Sequence, residues 1–223
     1  MPTGSIREHL FPAVCAAALT VALGLAAAAP VLSQPIETVN KRCADPIARF
    51  ERSERIPRQL LAAVALAESG RWDKARGAIF AWPWTVTAGG EGRFFDTKAE
   101  AIAEVRRLRA SGIRNIEVGC MQINLMYHPD AFDDLDQAFD PFENVAYAAR
   151  FLKRLNDARR SWSMAVGLYH SSNRKFLYPY RRKVLKLWNQ ERHRAAMEKR
   201  KAQIEKYKKL RAERRRLSRR RRS

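Results

Sequence analysis

Between Gln59 and Glu68 the chain carries eight successive apolar residues, Leu60-Leu61-Ala62-Ala63-Val64-Ala65-Leu66-Ala67. A helix that is apolar on every face is buried among other elements. Pro57 suits a first turn and Gly70 a left-handed stop, so the spacing predicts a helix over 57–70. Glu68 continues the i, i+3, i+4, i+7 stripe of Leu61, Val64 and Ala65, which puts its carboxylate where the packed interior meets an opening. In the last turn the helix dipole disfavours a further negative charge, and desolvation acts in the same direction. Both raise a carboxyl pKa, as a general acid working near neutral pH requires. The competing reading is a solvated glutamate at a helix end.

The same reading along the rest of the chain predicts an amphipathic helix over 43–54, with Cys43, Ile47 and Phe50 on one face. Trp82–Thr87 and Arg93–Phe95 read as two strands joined by a Gly-rich turn, a hairpin carrying several aromatics. Its tryptophans either stack on a ligand or cover the core. Asp96 or Thr97 caps a helix through Ala110, and a short β-like run over 113–118 precedes a compact element at 120–125. Asp140-Pro141-Phe142-Glu143 starts a helix to about Leu155, Trp162–Tyr169 forms a short one, and Pro179 opens a last one. Roughly seven helices and one hairpin make the fold class mainly α.

Charge changes this picture at the ends. The net charge is +20, but residues 189–223 hold sixteen Lys and Arg against four Glu, so +12 lies in the tail and +8 in everything before it. Residues 1–34 read as a signal peptide or uncleaved anchor, with Arg7 followed by an Ala-rich apolar run. The expected organisation is therefore a leader (1–34), a catalytic domain (35–188) and a basic helical or disordered tail (189–223). Cys43 and Cys120 then remain as an even pair in an oxidising compartment, which predicts one disulfide. The scattered His128, His170 and His193 have no metal-ligand spacing, so neither metal nor cofactor is expected.

Four stretches in one order resemble the soluble lytic murein transglycosylases, bacterial enzymes of lysozyme-like fold. They are Glu68-Ser69-Gly70, Gly119-Cys120-Met121-Gln122-Ile123-Asn124, Asp140 through Leu152, and Trp162 through His170. Cys120 stands in the place of a Leu, and two departures stand out. His170, followed by Ser171 and Ser172, stands where the family usually has Asn. The hairpin Trp82 to Phe95, which the resemblance makes a wall of the cleft, is longer than in the plain family pattern. The resemblance implies cleavage of the N-acetylmuramic acid to N-acetylglucosamine bond of peptidoglycan, with 1,6-anhydro ends and Glu68 as acid and base. It implies that Tyr169 hydrogen-bonds Glu68, and that Ser69, Gln122, Asn124 and His170 contact or orient the glycan. For Gln122 and Asn124 the alternative is local capping of the turn after Gly119.

Two rival readings stand beside it. A hydrolytic muramidase would set Glu91, Asp96 or Glu117 opposite Glu68 to activate water. A non-catalytic wall-binding protein would act through the basic tail. The expected partners are glycan strands in the periplasm and, for residues 189–223, an anionic membrane or wall surface ahead of nucleic acid. A monomer is expected.

Overall fold

The computed structural model of the 223-residue chain describes residues 36–220. The expected leader lies outside the described residues. The elements are α1 (Ile36–Ser53), α2 (Leu60–Ser69), β1 (Gly70–Asp73), β2 (Ala78–Ala81), β3 (Thr85–Ala88), β4 (Glu91–Phe94), α3 (Lys98–Ala110), β5 (Ile116–Val118), β6 (Ile123–Asn124), α4 (Leu135–Ala138), α5 (Pro141–Arg159), α6 (Trp162–His170) and α7 (Arg174–Arg220). The fold is mainly α with small antiparallel sheets, as the periodicity predicts.

The apolar helix α2 lies at the centre. Leu60, Leu61, Ala63, Val64 and Ala65 are fully buried, packed with residues of α1, α5, α6 and α7. Both of its ends differ from the sequence reading. It starts at Leu60 instead of Pro57, because Gln59 is left-handed (φ 67°) and the exposed N–H groups are taken by a carboxylate from α1. Glu51 accepts from the backbone N–H of Gln59 (2.8 Å), Leu61 (3.0 Å) and Ala62 (3.2 Å). This buried acid does the work of a local cap, satisfying donors that a helix start leaves open. Burial pushes its carboxyl up, while these backbone donors and the charge of Arg58 pull it back.

At the other end Gly70 is extended (φ −62°, ψ 113°), not left-handed, and it opens β1. Glycine is required for a steric reason. A Cβ there would stand 2.4 Å from the Leu66 carbonyl oxygen and 2.8 Å from Ile79 Cγ2.

β1 and β2 form an antiparallel hairpin that the sequence reading does not contain, with Gly70 opposite Ala81 and Asp73 opposite Ala78. Strands this short, at Gly70–Asp73 and Ala78–Ala81, carry almost no alternation to detect. Asp73 closes the turn by accepting from Ala75 N, Arg76 N and Arg76 Nη1.

The predicted hairpin is real but belongs to a four-stranded antiparallel sheet of order β4-β3-β5-β6. Gly89 and Gly90, both at positive φ, make its turn. Trp82 and Trp84 are buried in a second core with Val86, Ile102, Val105, Ile116 and Phe139, so they cover the interior and do not wall a cleft. The sheet reaches the cleft instead through β5 and β6.

The helix α3 has the expected cap at Thr97, with a reciprocal capping box to Glu100. α7 begins earlier than predicted. Asn173 accepts from the Lys175 N–H through Oδ1 and from Phe176 and Leu177 through its carbonyl, which places Pro179 inside the helix. Pro179 is the sixth residue of α7, and it gives up the hydrogen bond to the Lys175 carbonyl.

Cys43 and Cys120 form a disulfide with Cα atoms 5.9 Å apart, tying α1 to the turn after β5. The same turn is clamped from α5. Asn144 is fully buried and donates from Nδ2 to the carbonyls of Val118 and Ala138 (3.0 Å each), while its Oδ1 accepts from Met121 N (2.9 Å). Gly119 (φ +84°) lies flat against this amide. Any Cβ there would fall 2.3 Å from Asn144 Nδ2.

Candidate active site

The end of α2, the β5–β6 turn and the end of α6 enclose a cleft of about 150 Å³. Glu68, Glu117, Gln122, Asn124, Tyr169 and His170 all line it, together with Asn115, Tyr127 and His128. Five of the six sequence-predicted site residues are thus brought together. Ser69 is the sixth, and it is 1% exposed and committed elsewhere. Its hydroxyl donates to the Cys120 carbonyl (2.6 Å) and accepts from Trp82 N (3.3 Å), so it fastens α2 to the disulfide-bearing turn and is not placed to touch a ligand.

Glu68 is partly buried, and the loss of water raises its carboxyl from 4.5 to about 7. A hydrogen bond from Tyr180 and the charge of Lys183 oppose that rise, while the charge of Glu117 adds to it. Tyr180, from α7, donates its hydroxyl to Glu68 Oε1 at 2.5 Å. This corrects the expectation for Tyr169, whose hydroxyl donates instead to the Met121 carbonyl (2.8 Å). The geometry explains the exchange: Tyr169 sits on α6 above the 119–122 turn, whereas α7 packs directly along α2. Burial holds both phenols well above their ordinary range, so each is a fixed donor.

His170 is exposed and stacks flat on Tyr180, with ring centroids 4.4 Å apart and an interplanar angle of 6°. It therefore props the tyrosine that grips Glu68. Partial loss of water on the ring, which Tyr180 covers from one side, pushes its imidazole down, and the nearby charge of Lys183 adds to this. Lys183 in turn donates to the Ala67 carbonyl (2.7 Å), a cation at the negative end of α2.

Gln122 has a left-handed backbone (φ 49°), and its Nε2 donates to the carbonyls of Thr85 (3.1 Å) and Gly119 (3.0 Å). Those two acceptors fix the amide's orientation and leave Oε1 buried without a partner. Asn124 takes the capping role. Its Oδ1 accepts from the N–H of Met126 and Tyr127, and its Nδ2 donates to Asn115 Oδ1 (2.6 Å).

Glu117 faces the same cleft from β5, its carboxyl raised by burial and restrained by Asn124. Of the three acids considered as a second carboxylate, it alone lines the cleft. Asp96 pairs with Arg71 (3.5 Å), and Glu91 lies exposed on β4. Among the described residues no group of three His, Cys, Asp or Glu side chains could hold a metal ion.

Tyr180 escaped the sequence reading, although it continues the apolar stripe of Leu177, Val184 and Leu187 at helical spacing. His128 also lines the cleft, with Nδ1 2.9 Å from the Tyr147 hydroxyl and its ring edge-on to Phe151. Nothing in its sequence neighbourhood singled it out.

The domain is mainly helical, and it holds one water-poor glutamic acid in a cleft between helices and a small sheet. The model of the transglycosylase SLT domain matches residues 45–177, and the chain belongs to that family, whose members act on peptidoglycan. No curated protein and no solved structure matches the chain.

Proposed function

We propose that the protein is an exported lytic transglycosylase that cleaves the β-1,4 bond between N-acetylmuramic acid and N-acetylglucosamine, leaving 1,6-anhydro ends. The observation that carries this reading is Glu68, held in the cleft by Tyr180 with its carboxyl raised to about 7. Such a group still carries its proton in part at neutral pH. It can give its proton to the glycosidic oxygen as the bond to the anomeric carbon breaks. The resulting carboxylate then takes the proton of the muramic 6-hydroxyl as that oxygen closes on the anomeric carbon, with no water consumed. Tyr180 orients Glu68 throughout, and His170 supports Tyr180 from its outer face. Gln122 and Asn124 shape the wall that receives the sugar. Residues 1–34 act as the leader that takes the domain to its substrate.

A second reading is favoured by one observation. Glu117 shares the cleft, and its charge acts on Glu68. A carboxylate there could activate water and turn the enzyme into a hydrolytic muramidase. Mass spectrometry of fragments released from purified peptidoglycan separates the readings. Anhydro ends from the wild type and from Glu117→Gln support the transglycosylase. Reducing ends from the wild type, lost in Glu117→Gln, support the hydrolase, and no release from either removes both.

A further inference from the structure

Beyond Trp188, whose indole N–H donates to the Arg58 carbonyl (2.9 Å), α7 continues to Arg220. At 1.5 Å per residue, the 32 residues from Asn189 extend for about 48 Å. From Arg200 to Arg220 the helix holds eleven Lys and Arg against two Glu, a net charge of +9. Nothing in the cleft chemistry uses this segment.

Its apolar residues are arranged, although sparse. Met197, Ile204, Tyr207, Leu210 and Leu217 are the large apolar side chains after Trp188, and all are between 45% and 65% exposed. At about 100° per residue they fall within one arc of roughly 160°. The same arc also holds Arg200, Arg211 and Arg214; the remaining arc carries Lys201, Lys206, Lys208 and Lys209 together with Glu198, Glu205 and Glu213, and no large apolar residue. A second copy of this helix is excluded as occupant by like-charge repulsion over the same segment. Carboxylates of a polymer would engage the cations but leave the apolar arc in water.

We infer that residues 197–220 form a docking surface for an anionic phospholipid bilayer. The apolar arc rests at the headgroup boundary, and the flanking cations lie among the phosphates. The helix then acts as a strut that holds the domain near the membrane. This inference is independent of the reaction proposed above, because glycan cleavage could fail its test without altering lipid binding, and the reverse also holds.

The test is co-sedimentation of the full chain with phosphatidylcholine vesicles, with and without phosphatidylglycerol, at low and high salt. Any binding by residues 1–34 is common to all variants, so the readout is the phosphatidylglycerol-dependent increment. A charge variant (K201Q, K206Q, K208Q and K209Q together) should lower that increment by about a thousandfold at low salt. An apolar variant (Ile204→Ser, Leu210→Ser and Leu217→Ser together) should lower it by about tenfold, with helix content checked by circular dichroism. Release of muropeptides from short soluble glycans should be unchanged in both. Three results overturn the proposal: no phosphatidylglycerol-dependent increment, an apolar variant that binds like the wild type, or capture by purified sacculi that the same charge variant abolishes while vesicles are ignored.

Discussion

Replacing Glu68 by Gln should stabilise the protein above neutral pH and leave its stability unchanged in acid. Loss of water raises this carboxyl to about 7 in the fold, against 4.5 when exposed. Below the lower value both states are protonated, and the variant gains nothing. Between the two values the unfolded chain has released a proton that the native state still holds, so wild-type stability falls as pH rises. Above about 7 the penalty is complete, and at about 1.4 kcal/mol per unit of difference it amounts to roughly 3 kcal/mol. Gln has the same shape, keeps an oxygen for Tyr180 to donate to, and carries no charge to desolvate. It therefore escapes the penalty. Urea unfolding of wild type and variant from about pH 4 to pH 8 measures the difference directly. The two curves should coincide at the acid end and separate by roughly 3 kcal/mol at the alkaline end, with the variant more stable. Parallel curves across the range would show that Glu68 is not held in a water-poor site. The same acid must be protonated to act, so wild-type kcat/KM should decline above about pH 7, while the Gln variant should lose about a hundredfold or more at every pH.

Tyr180→Phe removes the donor that lowers the Glu68 pKa, so the alkaline limb of the pH–rate profile should move to higher pH and kcat should fall about tenfold; Tyr169→Phe should leave the limb where it is, since its partner is the Met121 carbonyl. Asn144→Ala strands a buried N–H and two buried carbonyls around Gly119, and thermal unfolding should report a loss of roughly 3 kcal/mol or more, with equal stability refuting the clamp. Removal of the Cys43–Cys120 disulfide, which spans 77 residues, should cost up to roughly 4 kcal/mol in denaturant unfolding, and an unchanged midpoint would contradict its structural role.

The parts of this fold that were legible in the sequence are those written by local chemistry. Thr97 and Glu100 fix the start of α3, Asp140 and Pro141 that of α5, and the apolar run fixes α2 as the buried centre. What was not legible depends on distant partners. Nothing near Leu60 shows that Glu51 supplies the cap of α2, because its carboxylate reaches there only after α1 folds back. The tryptophans of the hairpin pattern equally well on either face, and packing against α3 decided for the core. For Asn124 the sequence left glycan contact and turn capping both open, and its two turn N–H partners decide for capping.

The site itself divides along the same line. Glu68 could be read from its own helix because one stripe carries both the packing and the acid. The residues that make it an acid cannot be read there, since Tyr180 and Lys183 come from a helix more than a hundred residues later in the chain. Residues 45–177 match the family model, and Tyr180 lies just beyond them. Adjacent Ser69 and Gly70 serve the same end by different means. Ser69 bonds α2 to the turn that Asn144 and the disulfide immobilise, and Gly70 lets the chain turn away within van der Waals reach of Leu66. An acid that must deliver and recover one proton needs its oxygen fixed to within a fraction of an ångström. Here that precision comes from α7 packed along α2 and from the turn after β5, which the α1 disulfide and Asn144 of α5 hold against the last turn of α2, so a substitution that shifts α7 by one rotamer at Tyr180 should alter the chemistry before it alters the fold.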